Sequence, residues 1–306
     1  MKFAYNSGLH RFSIFVVCWT LLLLVAGALV TSKDAALSVA DWPKSFGTWF
    51  PSWAVLNGGA FFEHTHRVVA AGLGILTLIL SGALWVTEKR LWLKWFSVIA
   101  VLGIAIQAVL GGQVVIRLLH YWLPVMHACF AQLVFAALIS IAVFTSRWWL
   151  EEKPMLQDAG SPGIHTIALL NSAVIYFQVI LGAGFRHKEI SVKPHVIGAF
   201  VVLGMISWTA ATLRRRFGAS TEFVKARKML HGIFGLQFLL GFAALWSRIT
   251  TADAPQPMPV MVALTVLHTV VGAILFATSV LVVLICYRLV PRRGQVTVSA
   301  ERQVTA

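Results

Sequence analysis

The sequence predicts an all-α integral membrane protein: eight transmembrane helices arranged as two similar four-helix bundles. Eight stretches of the 306-residue chain lack Asp, Glu, Lys and Arg, and each is long enough to cross a bilayer. None alternates polar and apolar residues with period two, and several are too long for the strands of a membrane barrel. A Gln-x-x-Leu-Gly signature recurs in three of them, which points to internal duplication.

A hydrocarbon core of about 30 Å takes about 20 apolar helical residues. The charge-free runs are 12–32, 68–87, 95–116, 118–146, 159–185, 194–213, 229–247 and 254–287, each with room for one span. The first follows Lys2 and Arg11 and passes through Ala26-Gly27-Ala28, the outline of a cleavable signal peptide. Its apolar stretch continues through Leu29 and Val30 to spanning length, so it is read as a retained helix. The repeated signature is Gln107-x-x-Leu110-Gly111 in the third span, Gln178-x-x-Leu181-Gly182 in the fifth and Gln237-x-x-Leu240-Gly241 in the seventh. The first span has Gly27 at a similar place but no Gln. Small residues let membrane helices approach closely, and an intramembrane Gln can hydrogen-bond across an interface. The most polar inner loop, near 147–162, is the natural cut and divides the chain into units 1–150 and 151–306.

Composition agrees. The chain is 58% hydrophobic and 12% charged, where a soluble domain carries roughly 25% charged residues. An ordinary soluble enzyme is excluded. The formal charge of +14 would suit nucleic acid on a soluble domain, but its placement says otherwise. With the N-terminus inside, the inner segments hold 17 of the 25 basic residues, among them Lys2, Arg11, Lys89, Arg90, Arg214, Arg215, Arg216, Arg288, Arg292, Arg293 and Arg302. That is the positive-inside pattern. Both termini are expected in the cytoplasm of a cell whose plasma membrane holds the chain, with the lipid bilayer and not nucleic acid as partner. Cys18, Cys129 and Cys286 lie in apolar runs without metal-type spacing and read as packing residues.

Ten histidines are many for so apolar a chain, and ionisable groups within a span read as functional. His10, His165 and His231 fall near the inner face. One histidine stands out on each even-numbered span: His66 opening the second, His127 one turn into the fourth, His195 opening the sixth and His268 two turns into the eighth. Even-numbered spans run from outside to inside, so all four occupy the outer half of the membrane. One imidazole from each of two facing helices is what a haem iron needs for two axial ligands. The expected pairs are His66 with His127 and His195 with His268. Zinc would be underligated by two histidines alone. At 1.5 Å per residue from the expected helix starts, His268 should lie about 12 Å deeper than His195.

Arg67, Arg117 and Arg186 fall at the outer face, where haem propionates would emerge, and Arg suits carboxylates. His64, His120 and His187 are further candidates there. Glu63-His64-Thr65-His66-Arg67 is the densest polar cluster, with Glu63 on the same helical face as His66. Such a carboxylate suits acid-base or electrostatic work; the residues before His195 (Ser191, Val192, Lys193, Pro194) offer no equivalent. One unit would then do chemistry and the other carry electrons. The long outer loop 33–62, with Trp42, Pro43, Phe46, Trp49, Phe50 and Trp53, reads as an aromatic interfacial segment that can cover the first site.

The residues resemble the heme A synthase family. Ala26 to Ser32, Leu37 to Pro43, Glu63-x-x-His66-Arg67, Gln107 to Arg117 and His127 follow the family's order across residues 20–145. Gly182 to His187, His195 and His268 follow it in the second half. The resemblance implies oxidation of the C8 methyl of heme O to a formyl group, giving heme A for cytochrome oxidase. It implies substrate haem held by His66 and His127 with Glu63 assisting at the reacting methyl. It also implies a heme B cofactor held by His195 and His268. O2 or water would be the oxygen source. Heme O synthase and cytochrome oxidase assembly factors would be partners, along with an electron donor that the sequence does not identify. Three features depart from the family: no cysteine pairs in the outer loops, Lys33-Asp34-Ala35-Ala36 in place of a glycine-richer stretch, and a short outer loop at 186–193. A di-haem electron carrier without chemistry of its own is the alternative, and a transporter without haem a third reading.

Overall fold

The computed structural model describes residues 5–291. Lys2, Arg292, Arg293 and Arg302, counted above among the inner charges, lie outside the described residues. Among the described residues the chain forms nine α-helices and no strand. They are α1 (Ser7–Ser32), α2 (Gly58–Thr87), α3 (Leu91–Ile116), α4 (Leu123–Thr145), α5 (Arg147–Leu150), α6 (Ile164–Arg186), α7 (Val192–Phe217), α8 (Thr221–Thr250) and α9 (Pro259–Leu289). All but the single turn α5 are long and apolar enough to cross a membrane.

The helices end where the local chemistry allows. The Asn6 side chain accepts the Leu9 N–H at the start of α1, and Pro124 and Pro259 sit in the first turns of α4 and α9, where their missing N–H costs nothing. Two helices begin well before their charge-free runs. α2 starts at Gly58, so His66 lies about two turns inside it and does not open it. α8 starts at Thr221 and takes Lys225, Arg227 and Lys228 into its first turns. A helix need not stop where the hydrocarbon does, because charges at its ends are paired by loops or reach the interface. Hydroxyls inside the spans bond back one turn, as Thr77 does to the Leu73 carbonyl (2.8 Å) and Thr209 to that of Met205 (2.8 Å). These bonds satisfy the hydroxyls without water, whereas the buried Ser172 hydroxyl of α6 has no partner.

Packing follows the chain. α1 contacts α2 and α4, α2 contacts α3, and α3 contacts α4. In the second half α6 contacts α7 and α9, α7 contacts α8, and α8 contacts α9. The halves meet through α4 and α9, which also touch each other and are the most buried spans. The first half packs Val16, Leu73, Leu80, Leu84, Leu93 and Leu138 together, and the second packs Ile175, Val202, Ile206, Leu230 and Leu275. Phe135 of α4 seals against Ala273 and Ala277 of α9. Outward faces carry large apolar residues such as Ile75, Val86 and Leu239, as lipid contact requires. Before α6, Asp158 accepts the Ile164 N–H (2.6 Å) and the Arg216 guanidinium (3.0 Å), tying the start of α6 to the end of α7. Burial works to raise the Asp158 carboxyl, but the Ile164 and Gly160 N–H groups and Arg216 together hold it below its ordinary value.

Candidate functional site

The four histidines singled out on the even-numbered spans meet as two pairs. The His66 and His127 ring centres are 6.5 Å apart with their planes at 82°, and those of His195 and His268 are 6.1 Å apart at 89°. The depth difference expected between His195 and His268 is not realised. His268 lies farther along α9 than His195 does along α7, yet the rings face each other. The two helices therefore do not start at one level. The long α8, which runs on to Thr250, carries the start of α9 outward.

Each ring rests on a glycine of the preceding spanning helix. A Cβ built on Gly27 of α1 would lie 3.1 Å from Cε1 of His66, and one on Gly111 of α3 would lie 3.0 Å from that of His127. The corresponding distances are 2.8 Å from Gly182 of α6 to His195 and 2.9 Å from Gly241 of α8 to His268. One turn before each glycine, a backbone carbonyl faces the same ring: Leu23 for His66, Gln107 for His127, Gln178 for His195 and Gln237 for His268. His268 Nδ1 bonds the Gln237 carbonyl at 3.2 Å. In His66 and His127 the approach falls short of hydrogen-bond geometry and Nδ1 is buried without a partner. The glutamine amides reach the histidine helices as well. Gln107 donates to the His127 carbonyl (2.8 Å), Gln178 to that of His195 (2.7 Å), and the Gln237 amide lies 3.3 Å from His268 Nε2. The equivalent position on α1 is Leu23, which has no amide to offer.

Glu63 is buried on α2. One carboxylate oxygen accepts the Val39 N–H (2.9 Å) and the other pairs with Arg67 at 2.5 Å. Arg67 also donates to the carbonyls of Asp41 (2.6 Å), Lys44 (2.7 Å) and Val39 (3.0 Å), and His64 Nδ1 meets Ser45 Oγ at 2.9 Å. Glu63, His64 and Arg67 thus fasten the outer loop between α1 and α2. The Trp42 ring of that loop lies against Gly112, beside the glycine under His127. Its tip stays exposed at Trp49, Phe50 and Trp53. Burial works to raise the Asp41 carboxyl, but the Gly47 and Phe46 N–H groups outweigh it and hold the group below its ordinary value.

The other basic candidates separate. Arg117 is exposed and donates to the Gln113 side chain (2.8 Å). Arg186 donates to the Ala28 carbonyl (2.7 Å) and Ser32 hydroxyl (2.7 Å) of α1 and to the Thr269 hydroxyl (2.8 Å) of α9. It runs between the neighbour of Gly27 and the neighbour of His268. Nothing in the sequence pointed to Ser32 and Thr269 as its partners. His187 is pushed down to about 4 by burial, with Arg186 and His127 adding to it, so it is neutral at physiological pH. His120 is exposed against the Tyr121 ring. The inner histidines have structural partners: His10 meets Thr145 (3.3 Å), His165 the Val290 carbonyl (3.1 Å) and His231 the Arg227 carbonyl (3.1 Å). Among the described residues no three His, Cys, Asp or Glu side chains converge as a metal-holding group.

The COX15-CtaA family model, described as a cytochrome oxidase assembly protein, matches in two overlapping segments, residues 1–139 and 52–190. Curated relatives carry the name heme A synthase. That of Halalkalibacterium halodurans is 28% identical over 44% of this chain and 44% of its own length. That of Shouchella clausii is 26% identical over 60% and 61%, and that of Bacillus licheniformis 26% over 61% of each chain. The chain thus spans between 44% and 61% of the length of these relatives in the matched stretches.

Proposed function

Because the chain belongs to the COX15-CtaA family, the family of the heme A synthases, we propose that it makes heme A by oxidising the C8 methyl of heme O to a formyl group. The observation that carries this reading is the meeting of the four histidines singled out on the even-numbered spans as two facing pairs. Ring centres about 6 Å apart would leave room for one metal at the roughly 2.0 Å nitrogen–metal distance of histidine ligation from each imidazole. The two pairs stand at 6.5 and 6.1 Å. A histidine pair suits a metal that brings its other ligands with it, as a porphyrin supplies them.

In this reading His66 and His127 hold the substrate haem, and His195 and His268 hold heme B. The units 1–150 and 151–306 are one bundle for each. His268 Nδ1 bonds the Gln237 carbonyl, which would leave its Nε2 for iron, while at His195 the Gln178 amide lies 3.1 Å from Nδ1. Ligation through His268 Nε2 would take the place of the Gln237 amide, which lies 3.3 Å from it. Bound haem supplies the redox chemistry of the methyl oxidation, with O2 or water as the oxygen source. The chain orients the haems, excludes water under Trp42 and the fastened outer loop, and places the Glu63 carboxylate near the first site. Arg117 has the exposure to meet a propionate. Arg67 and Arg186 would do so only by sharing donors already bonded to the protein. Both termini lie in the cytoplasm in this reading, and the haem sites face outward in the plasma membrane. Heme O synthase, cytochrome oxidase assembly factors and a separate electron donor are the partners.

The test is co-expression with a heme O synthase, followed by haem extraction. Heme A or its hydroxylated precursor is expected; heme O alone would overturn the reading. The two pairs share one geometry and both Glu63 oxygens are engaged, which favours the second reading, a di-haem electron carrier. That reading predicts two stable low-spin haems, no product, and indifference to Glu63→Ala.

A further inference from the structure

We propose that Gly27, Gly111, Gly182 and Gly241 are positioning residues for the four imidazoles, each fixing the plane of the ring that rests on it. The inference builds on the reading of the histidines as haem ligands. Four different helices present the same arrangement. Each glycine meets the Cε1 edge of a histidine on the next spanning helix, with Nδ1 next nearest and Nε2 farthest. Four residues earlier, a carbonyl of the same helix faces that ring. Glycine and carbonyl together define one ring plane. The absence of a Cβ lets the ring lie on the helix backbone, and at His268 the carbonyl one turn back also bonds Nδ1 at 3.2 Å. Close helix approach alone needs a small residue somewhere in the interface. It does not need that residue under an imidazole four times over. Gly204 on α7, the helix of His195, and Gly232 on α8, the helix of Gly241, have nothing within 4 Å of a built Cβ. They are built-in controls.

The contact is tightest at the second pair. Cβ distances of 2.8 Å at Gly182 and 2.9 Å at Gly241 are too short to stand, so the ring must turn or withdraw. The experiment is a titration of purified full-length protein with haemin, read by absorption and by the low-spin electron paramagnetic resonance signal. Gly182→Ala and Gly241→Ala are expected to weaken haem binding about 10-fold or more, as losing a group that orients a metal ligand does, and to shift the low-spin signal. Gly204→Ala and Gly232→Ala are expected to match the parent. Seat variants with the parent's affinity and signal overturn the proposal.

A second measurement covers a variant that fails to fold. If the added methyl strains the chain only through the ring, removing the ring relieves it. Gly182→Ala with His195→Ala should then melt with His195→Ala alone, while Gly182→Ala in the parent melts lower. A double variant as unstable as the sum of the two singles overturns the proposal. A parent protein with no haem absorption overturns the ligand reading instead, and the melting cycle still decides whether the glycines seat the rings.

Discussion

Both oxygens of Glu63 are engaged in the folded chain, one by the Val39 N–H and one by Arg67. A carboxylate proposed for chemistry is therefore also an anchor, and substitution has to separate the two roles. Glu63→Ala removes both contacts. Breaking a buried pair costs about 3–5 kcal/mol, and the low end applies here because Arg67 keeps three loop carbonyls. Glu63→Gln keeps an acceptor for Val39 but turns its NH2 toward the Arg67 guanidinium, so it is expected to melt below the parent and above Glu63→Ala. Glu63→Ala, Glu63→Gln and His66→Ala are all expected to abolish product while haem stays bound at His195 and His268, as haem extraction and absorption will read. Full turnover by Glu63→Gln would reduce Glu63 to a loop anchor, and loss of the second haem would show the two sites assigned the wrong way round. Glu63 and His66 were legible as a pair from their spacing alone. The Val39 contact was not, because nothing local links residues 24 apart.

The outer loop shows how much of one element a sequence discloses. Its aromatic content predicted an interfacial segment able to cover the first site, and Trp42 lies against Gly112 beside that site. The polar cluster at 63–67 then doubles as the loop's fastening, and α2 starts at Gly58, eight residues before His66. The turn inside the loop depends on Asp41, whose carboxylate accepts the Phe46 and Gly47 N–H groups (2.8 and 2.9 Å). Its pKa is lowered in the folded chain. The stabilisation is therefore present above the ordinary aspartate value, about 3.9, and is lost as pH falls through the lower folded one. Chymotryptic cleavage at the exposed Trp49–Trp53 tip is expected to accelerate in Asp41→Asn at neutral pH, and in the parent only under strongly acidic conditions. Equal cleavage rates at neutral pH would show that Asp41 does not hold the turn.

At the scale of the whole molecule the two halves are joined by α4, α9 and one cation. Arg186, at the end of α6, reaches α1 through Ala28 and Ser32 and α9 through Thr269. Ala28 follows Gly27, which lies under His66, and Thr269 follows His268. Arg186→Ala leaves a buried carbonyl and two hydroxyls without their donor, at about 1–3 kcal/mol for an unsatisfied buried group. The variant is expected to melt lower and to shift the low-spin signals of both haems. A shift confined to one haem would show that the contact serves a single site.

The sequence by itself determined the spans, their number, the histidine on each even-numbered span and the family resemblance. These follow from local rules: the length of apolar helix a bilayer needs, and the cost of an ionisable group inside it. The recurring Gln-x-x-Leu-Gly was visible too, as a mark of duplication and close packing. The tertiary structure decided that each glycine lies under an imidazole, that His195 and His268 meet despite unequal depth along their helices, and that Arg186 bridges the halves. Those relations depend on how far each helix protrudes and which faces turn together. Such quantities are set by packing between helices distant in the chain, and no run of neighbouring residues encodes them.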